Sequence, residues 1–367
     1  MHILITADTV GGVWTYTHEL VRGLLARKHR VTLVSFGALP KPEEESRLRG
    51  LERLGYFPSA YRLEWMPDSE KDIAESTKYL EQIIEDKRPD ILHLNQYCYG
   101  AVKAKVPRLL VAHSDVFSWW NAVHGSDPPP SQWSTWYAKT VNKGLSGADM
   151  VVAPSQWMMD ALVKHYRVPA RRIVVYNGRS PSLFDYSKTK PNCALSVGRV
   201  WDSGKQTGLL LTCNAGVPLR IVGPTKAPVD VVDSVKSLAL PPSVEVCGAL
   251  DERELRSLYA ESATYVATSR YEPFGLAPVE AALSRCALIA NDLPVFHELW
   301  GDAAIYFRRD DAQALGMSLR RLYDDEALRE EYGGRAYQRA RECFDAARMV
   351  DEYVELYQQL TAEGTSA

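Results

Sequence analysis

HILITADTVGGVWTYTHEL, residues 2–20, reads as a buried strand over 2–6, a turn at Gly11-Gly12 and a helix opening near Trp14. A continuous apolar strand feeding a helix is the opening unit of a parallel sheet covered on both faces. The alternation continues outward from it. Strands are expected at 31–36, 90–94, 108–112, 149–153 and 172–176, with helices near 14–28, 69–87, 131–146 and 155–166. A second series starts at 193–197 (CALSV) and continues at 218–222, 243–247, 263–267, 286–290 and 303–307. Helical patterns at 205–213, 251–260, 276–284 and 311–323 lie among these strands. Between the two series, Pro181 to Pro191 is polar and Pro/Ser/Lys-containing, as linkers are. The fold class is therefore α/β, with two doubly wound parallel-sheet, Rossmann-like domains, 1–186 and 187–344, facing a cleft. In the amphipathic stretch 345–360, Val350, Tyr353, Val354 and Tyr357 share a helix face, which is expected to pack back on the first domain. Ligands of such sheets bind at the carboxyl ends of the strands.

Composition narrows the function. The chain has 367 residues, a net charge of −3, 46% hydrophobic and 24% charged residues, enough to bury full cores. That balance argues against a dedicated nucleic-acid binder. No two of the six cysteines lie within a CxxC spacing, so they read as small buried hydrophobes in a reducing compartment. A strand directly after Met1 leaves no room for a signal peptide, and no apolar run reaches membrane-span length; the expected location is cytoplasmic. Tryptophan is uneven: seven of nine fall in the first 160 residues.

Three segments carry chemistry. Gly11 and Gly12 allow close backbone approach to a ligand at a helix start that favours phosphate, or they simply form a tight turn. The absence of GxGxxG counts against a nicotinamide-dependent dehydrogenase. Gly198-Arg199 with Lys205 sets two fixed cations after the first strand of the second series, as a diphosphate needs, or forms a solvated loop. In SRYEPFGLAPVE, residues 269–280, the backbone N–H groups of Gly275, Leu276 and Ala277 open a helix where an anion can bind. Glu280, one turn inside, is suited to a ribose diol, and Glu272 to sugar hydroxyls. The alternative makes them a helix-favoured acid and an ordinary loop acid.

Two glutamates separated by seven residues around Pro-Phe-Gly-Leu resemble the signature of retaining glycosyltransferases of family four, the glycogen-synthase-like group 1 enzymes of GT-B fold. The resemblance spans almost the whole chain. It takes in Gly11-Gly12, Asp90-Ile-Leu-His93, Val111-Ala-His113-Ser-Asp115, Tyr176-Asn177-Gly178 with Phe184, Gly198-Arg199 with Lys205, and Asp292-Leu-Pro294 with Glu298. It implies transfer of a hexose-type sugar from a nucleoside diphosphate sugar, with retention, no metal and no cofactor. By resemblance, His113, Arg199, Lys205 and Glu272 are catalytic. Gly11, Gly12, Gly198, Phe274, Gly275, Leu276, Ala277 and Glu280 hold the donor. Asn95 and Asp115 are expected to meet the acceptor, Asp115 with the alternative of orienting His113; Trp119 and Trp120, which follow the His113 strand end, are expected there from their position.

The chain departs from the family pattern at two points. Arg285 stands where members usually carry glycine after the second glutamate's helix, putting the usual cap geometry in doubt. Lys28-His29 replaces a Gly-His pair and reads as surface variation. Trp133 and Trp136, three apart on a helix, are expected in the core, whereas Trp119 and Trp120 either pack there too or offer aromatic faces to a sugar or an aromatic acceptor. No Lys/Arg-rich patch accompanies them in the sequence, which favours a soluble acceptor over a lipid. Two other classes remain open: a nucleotide-sugar epimerase, which needs an acid/base pair not found here, and a hinged sugar-binding protein, which has no use for Arg199 and Lys205.

Overall fold

A computed structural model describes residues 1–186, 189–226 and 240–364. The chain forms two compact units: Met1–Asn121 with Ser126–Gly178 and the chain from Ala346, and Arg179–Asp345 with Ala122–Gly125.

The first unit holds seven parallel strands: β1 (His2–Asp8), β2 (Arg30–Phe36), β3 (Leu54–Pro58), β4 (Ile91–Leu94), β5 (Arg108–Val111), β6 (Met150–Ala153) and β7 (Arg172–Val174), in the order β3-β2-β1-β4-β5-β6-β7. Between them run α1 (Gly12–Ala26), α2 (Pro42–Arg49), α3 (Glu70–Lys87), α4 (Val116–His124), α5 (Gln132–Gly147) and α6 (Gln156–His165). Every residue of β1 is buried, as its unbroken apolar run requires of a strand covered on both faces. Strand order reverses between β1 and β4, so the ligand-binding crevice of this sheet lies beyond Asp8 and Leu94.

The second unit repeats the design with β8 (Ala194–Val197), β9 (Leu219–Val222), β10 (Val244–Gly248), β11 (Thr264–Ala267), β12 (Ala287–Asn291) and β13 (Ala304–Phe307), in the order β10-β9-β8-β11-β12-β13, all parallel. Its helices are α7 (Gly208–Thr212), α8 (Glu252–Glu261), α9 (Leu276–Leu283), α10 (Pro294–Trp300), α11 (Ala312–Asp324) and α12 (Glu326–Cys343). Here the order reverses between β8 and β11. The last helix, α13 (Ala346–Gly364), belongs to the first unit and packs on α1 through Val350, Tyr353 and Tyr357, all buried.

Several details differ from the sequence reading. The first unit ends at Gly178 rather than at 186; residue 187, where the second domain was expected to begin, lies outside the described residues. The helix expected over 205–213 is confined to Gly208–Thr212, because Lys205 sits in a turn whose N–H bonds back to the Asp202 carbonyl. All six cysteines are free, but only Cys98, Cys193 and Cys286 are buried. Among the described residues no helix is long and apolar enough to cross a membrane.

Candidate functional site

In the second unit the loops leaving β8 and β11 are stitched together at the switch point. Thr268 Oγ1 donates to the Lys205 carbonyl at 2.8 Å, and the Arg270 N–H donates to the Gly204 carbonyl at 2.8 Å. These bonds bring Lys205 Nζ within 2.5 Å of Glu272 Oε2, which also accepts from Ser269 Oγ at 3.0 Å. Arg199 is held by the buried Asp202 at 2.6 Å, and Asp202 accepts the Gly204 N–H through its other oxygen. Gly198 lies against the Lys205 stem, where an added Cβ would meet Cδ at 3.3 Å. A carboxylate, an ammonium and a guanidinium are thus gathered beyond the carboxyl ends of the two central strands.

Gly275 opens α9 at φ +88, a conformation that strains any side chain, and α9 has no side-chain cap on its first-turn N–H groups. Leu276 and Ala277 follow at partly exposed positions. A helix start of this kind attracts anions through its N–H groups and dipole. The Phe274 side chain does not face it. Phe274 is buried and meets Phe344 edge-on with ring centroids 5.3 Å apart, so only its backbone remains for a ligand. Glu280 is also buried, with Oε1 2.9 Å from Nε of the equally buried Arg179. The sequence reading missed Arg179; the signal was an arginine directly after Asn177-Gly178, and nothing in spacing tied it to Glu280.

In the first unit the switch point carries a second group. Gly11 precedes α1 at φ 103 and ψ −149, a region only glycine enters readily, and both Gly11 and Gly12 are exposed. Across the reversal, Asn95 ties β4 to β1: its Nδ2 donates to the Thr6 carbonyl at 2.6 Å and its N–H donates to Thr6 Oγ1 at 2.9 Å. With Nδ2 so engaged, Oδ1 accepts from His113 Nε2 at 2.8 Å, which puts the imidazole proton on Nε2 and leaves Nδ1 an acceptor. Burial lowers the His113 pKa to about 3, so the ring is neutral at ordinary pH. Tyr16 meets that ring edge-on at 4.6 Å and contacts His93 Nε2 at 3.1 Å, while Tyr357 of α13 contacts His93 Nδ1 at 2.7 Å. Asn95, expected at an acceptor, therefore orients His113, and Tyr16 and His93 back it from inside.

Asp115 is a correction. Its side chain is buried, and Oδ1 accepts from the Ser118 N–H at 2.9 Å and from Tyr166 Oη at 3.0 Å. It caps α4 instead of reaching an acceptor, and burial raises its pKa despite those bonds. Trp119 and Trp120 are half-buried on α4, edge-on to one another with ring centroids 6.0 Å apart. Trp133 and Trp136 pack into the core, as their spacing indicated; Trp133 stacks on Tyr137 at 5.6 Å and donates to the Met66 carbonyl.

Comparison with known proteins gives the family of each half. Residues 10–183 match the family described as Glycosyltransferase Family 4, and residues 186–339 match Glycosyl transferases group 1. The chain is 28% identical over 177 residues to the O-antigen chain mannosyltransferase RfbU of Salmonella typhimurium, covering 47% of this chain and half of that protein. It is 24% identical over 304 residues to an alpha-maltose-1-phosphate synthase of Mycolicibacterium smegmatis, covering 74% of this chain and 76% of the relative. Sucrose-phosphate synthase of Thermosynechococcus elongatus superposes with TM-score 0.82 at 18% identity, covering 99% of this chain and 100% of that one. Anabaena HepE, solved in complex with UDP-glucose, superposes with TM-score 0.72 at 18% identity, covering 98% and 100%. With both halves matched in order on a shared GT-B fold, this chain belongs to the family-4-like group 1 glycosyltransferases.

Proposed function

We propose that the chain is a retaining, metal-independent hexosyltransferase that moves a hexose from a nucleoside diphosphate sugar to a hydroxyl of a saccharide or small-molecule acceptor in the cytoplasm. The observation that carries this reading is the 2.5 Å approach of Lys205 to Glu272 beside Arg199 and the start of α9. A sugar nucleotide joins its diphosphate to its sugar at one carbon. Its site must therefore place cations and a hydroxyl-accepting carboxylate side by side.

Arg199, Lys205 and the N–H groups of Gly275, Leu276 and Ala277 stabilise the charge that grows on the departing diphosphate, in the place a metal would otherwise fill. Glu272 accepts hydroxyls of the donor sugar. Glu280, held by Arg179, accepts from the ribose hydroxyls. Gly11 and Gly12 bring backbone N–H groups to the donor, and His113 accepts a sugar hydroxyl through Nδ1. As the bond from C1 to phosphate oxygen breaks, the acceptor oxygen bonds to C1 on the same face and passes its proton to the departing phosphate oxygen. No protein nucleophile is needed. Trp119 and Trp120 offer ring faces to the acceptor.

Support comes from the family membership and from the UDP-glucose complex of HepE. The test is a panel of nucleotide sugars assayed for slow hydrolysis, with thermal shift by UDP, GDP and ADP and NMR of the product's anomeric configuration. One nucleotide is expected to stabilise the protein. Lys205→Ala and Glu272→Ala should each lower turnover by about 100-fold with folding intact, and EDTA should leave it unchanged. Normal turnover in both variants removes the donor-site assignment.

A further inference from the structure

On the outer faces of α5 and α6 the first unit carries a second concentration of charge. Lys139, Asn142, Lys143 and Ser146 lie at spacings of three and four on α5, hence on one helix face. With Lys164 near the end of α6 and Arg167 in the loop after it they line a groove of about 600 Å³, within the size range of small-ligand sites. The Arg167 N–H donates to Asn142 Oδ1 at 3.0 Å, which fixes the two walls together. All four cations are exposed, and among the described residues none is in an ion pair; no carboxylate lines the groove. The His165 ring, also in the lining, faces Asp127 at 3.7 Å.

Helix ends carry charge of their own, so four cations need not mean a ligand. Each helix C-terminus supplies about −0.5 charge, roughly −1 for the two, which leaves about +3 uncompensated. That excess stands on a chain whose net charge is −3. The linear sequence shows no basic run here because the four cations come from separate segments, Lys139 and Lys143 from α5, Lys164 from α6 and Arg167 from the loop after it.

We propose that this groove binds a phosphate-bearing ligand. Arginine presents a planar fork to phosphate oxygens and lysines act as point charges, while Asn142 and Ser146 brace the wall, Asn142 Nδ2 donating to the Ala138 carbonyl and Ser146 Oγ to the Asn142 carbonyl, each at 2.8 Å. Helices of a parallel α/β sheet run against the strands, so the C-terminal halves of α5 and α6 lie at the opposite end of the sheet from Asn95 and His113. The groove is therefore distinct from the donor and acceptor residues assigned above.

The test uses the full chain carrying Lys205→Ala, to remove pyrophosphate binding at the donor residues, with and without Lys143→Glu and Lys164→Glu. Inorganic pyrophosphate is titrated by calorimetry at low salt, and vesicles of phosphatidylglycerol or of phosphatidylcholine are assayed by co-sedimentation. A loss of pyrophosphate affinity of at least about tenfold on charge reversal, with binding weakening as salt rises, identifies a soluble phosphate ligand. Loss of phosphatidylglycerol binding alone identifies a lipid headgroup. If charge reversal changes neither, the proposal is overturned. In the chain with Lys205 intact, Lys143→Glu and Lys164→Glu should leave donor hydrolysis unchanged, so failure here is separable from failure of the transferase reading.

Discussion

Arg285 holds left-handed backbone, φ +57, between α9 and β12 while keeping a full side chain. That conformation costs a non-glycine residue about 1–2 kcal/mol. Its guanidinium lies 4.7 Å from the Tyr186 ring centroid and 4.9 Å from that of Tyr337, and such contacts contribute about 0.5–1 kcal/mol each at exposed sites. The two effects nearly cancel. Arg285→Gly should therefore shift stability by less than about 1 kcal/mol, whereas Arg285→Ala, which keeps the strain and loses both rings, should cost about 1–2 kcal/mol in urea denaturation. Equal stability of the two variants would show that the tyrosines contribute nothing. Lys28 stands likewise at φ +64, so both departures from glycine in the family pattern preserve the backbone that glycine would adopt. Residue types at the site were legible in the sequence; side-chain directions were not. Nothing in a linear motif says that Asp115 turns inward to cap α4 or that Phe274 turns toward Phe344.

At the scale of elements, three strand-end loops of the second unit meet at Asp310, just beyond β13. Its Oδ1 accepts from Gln206 Nε2 at 2.5 Å and from Arg270 Nε at 2.7 Å, so it braces the chain neighbours of Lys205 and Tyr271 together. Gln206 and Asp310 both sit at positive φ, 51 and 62, conformations that the bond between them helps hold. Burial opposes ionisation of Asp310, but the hydrogen bonds from Arg270 and Gln206 and the nearby arginine charges outweigh it and lower the pKa. Because both bonds end on one oxygen, Asp310→Asn can keep them and also tolerates left-handed backbone. Asp310→Ala should reduce donor hydrolysis about tenfold and Asp310→Asn much less, read as kcat and KM for the nucleotide sugar at unchanged melting temperature. Equal loss in both would tie the effect to charge and not to bracing. The alternation of elements was legible because buried strands and amphipathic helices announce themselves by period. Four elements escaped that rule. β3, LGYFP, is an edge strand holding both Gly55 and Pro58; α2, PEEESRLR, is polar but for Leu48 and starts on a proline; α4 is only nine residues long; α10 starts on Pro294, which reads as a break but suits a first helical turn.

For the whole molecule, buried titratable groups set how stability responds to acid. Burial lowers the pKa of His93 to about 3, with the charge of His113 adding to the effect, and lowers that of His113 to about 3 by burial alone. The unfolded chain protonates both below about 6.5, while the folded chain stays neutral until about 3. Their contribution is therefore complete above pH 6.5 and is lost as pH falls toward 3, at up to about 1.4 kcal/mol per pH unit for each. Glu64 and Asp115 act in the opposite sense. Burial raises both carboxyl pKa values, so the folded chain takes up their protons first and gains relative stability as pH falls from those raised values toward the unfolded range near 4. All four groups lie in the first unit, as do seven of the nine tryptophans, so tryptophan fluorescence reports mainly on the unit that titrates. Glu64 accepts the Tyr97 N–H at 2.8 Å and the Cys98 thiol at 2.9 Å, and no basic residue is among the groups that shift it. Glu64→Gln keeps the acceptor for Tyr97 and removes the carboxyl's offset. The variant should be at least as stable as the parent at pH 7.5, and its fluorescence-detected urea midpoint should fall more steeply from pH 6.5 to 4.5. Parallel midpoint curves for parent and variant would mean that the Glu64 carboxyl titrates alike in the folded and unfolded chain, and the histidines alone would then carry the acid response of this unit.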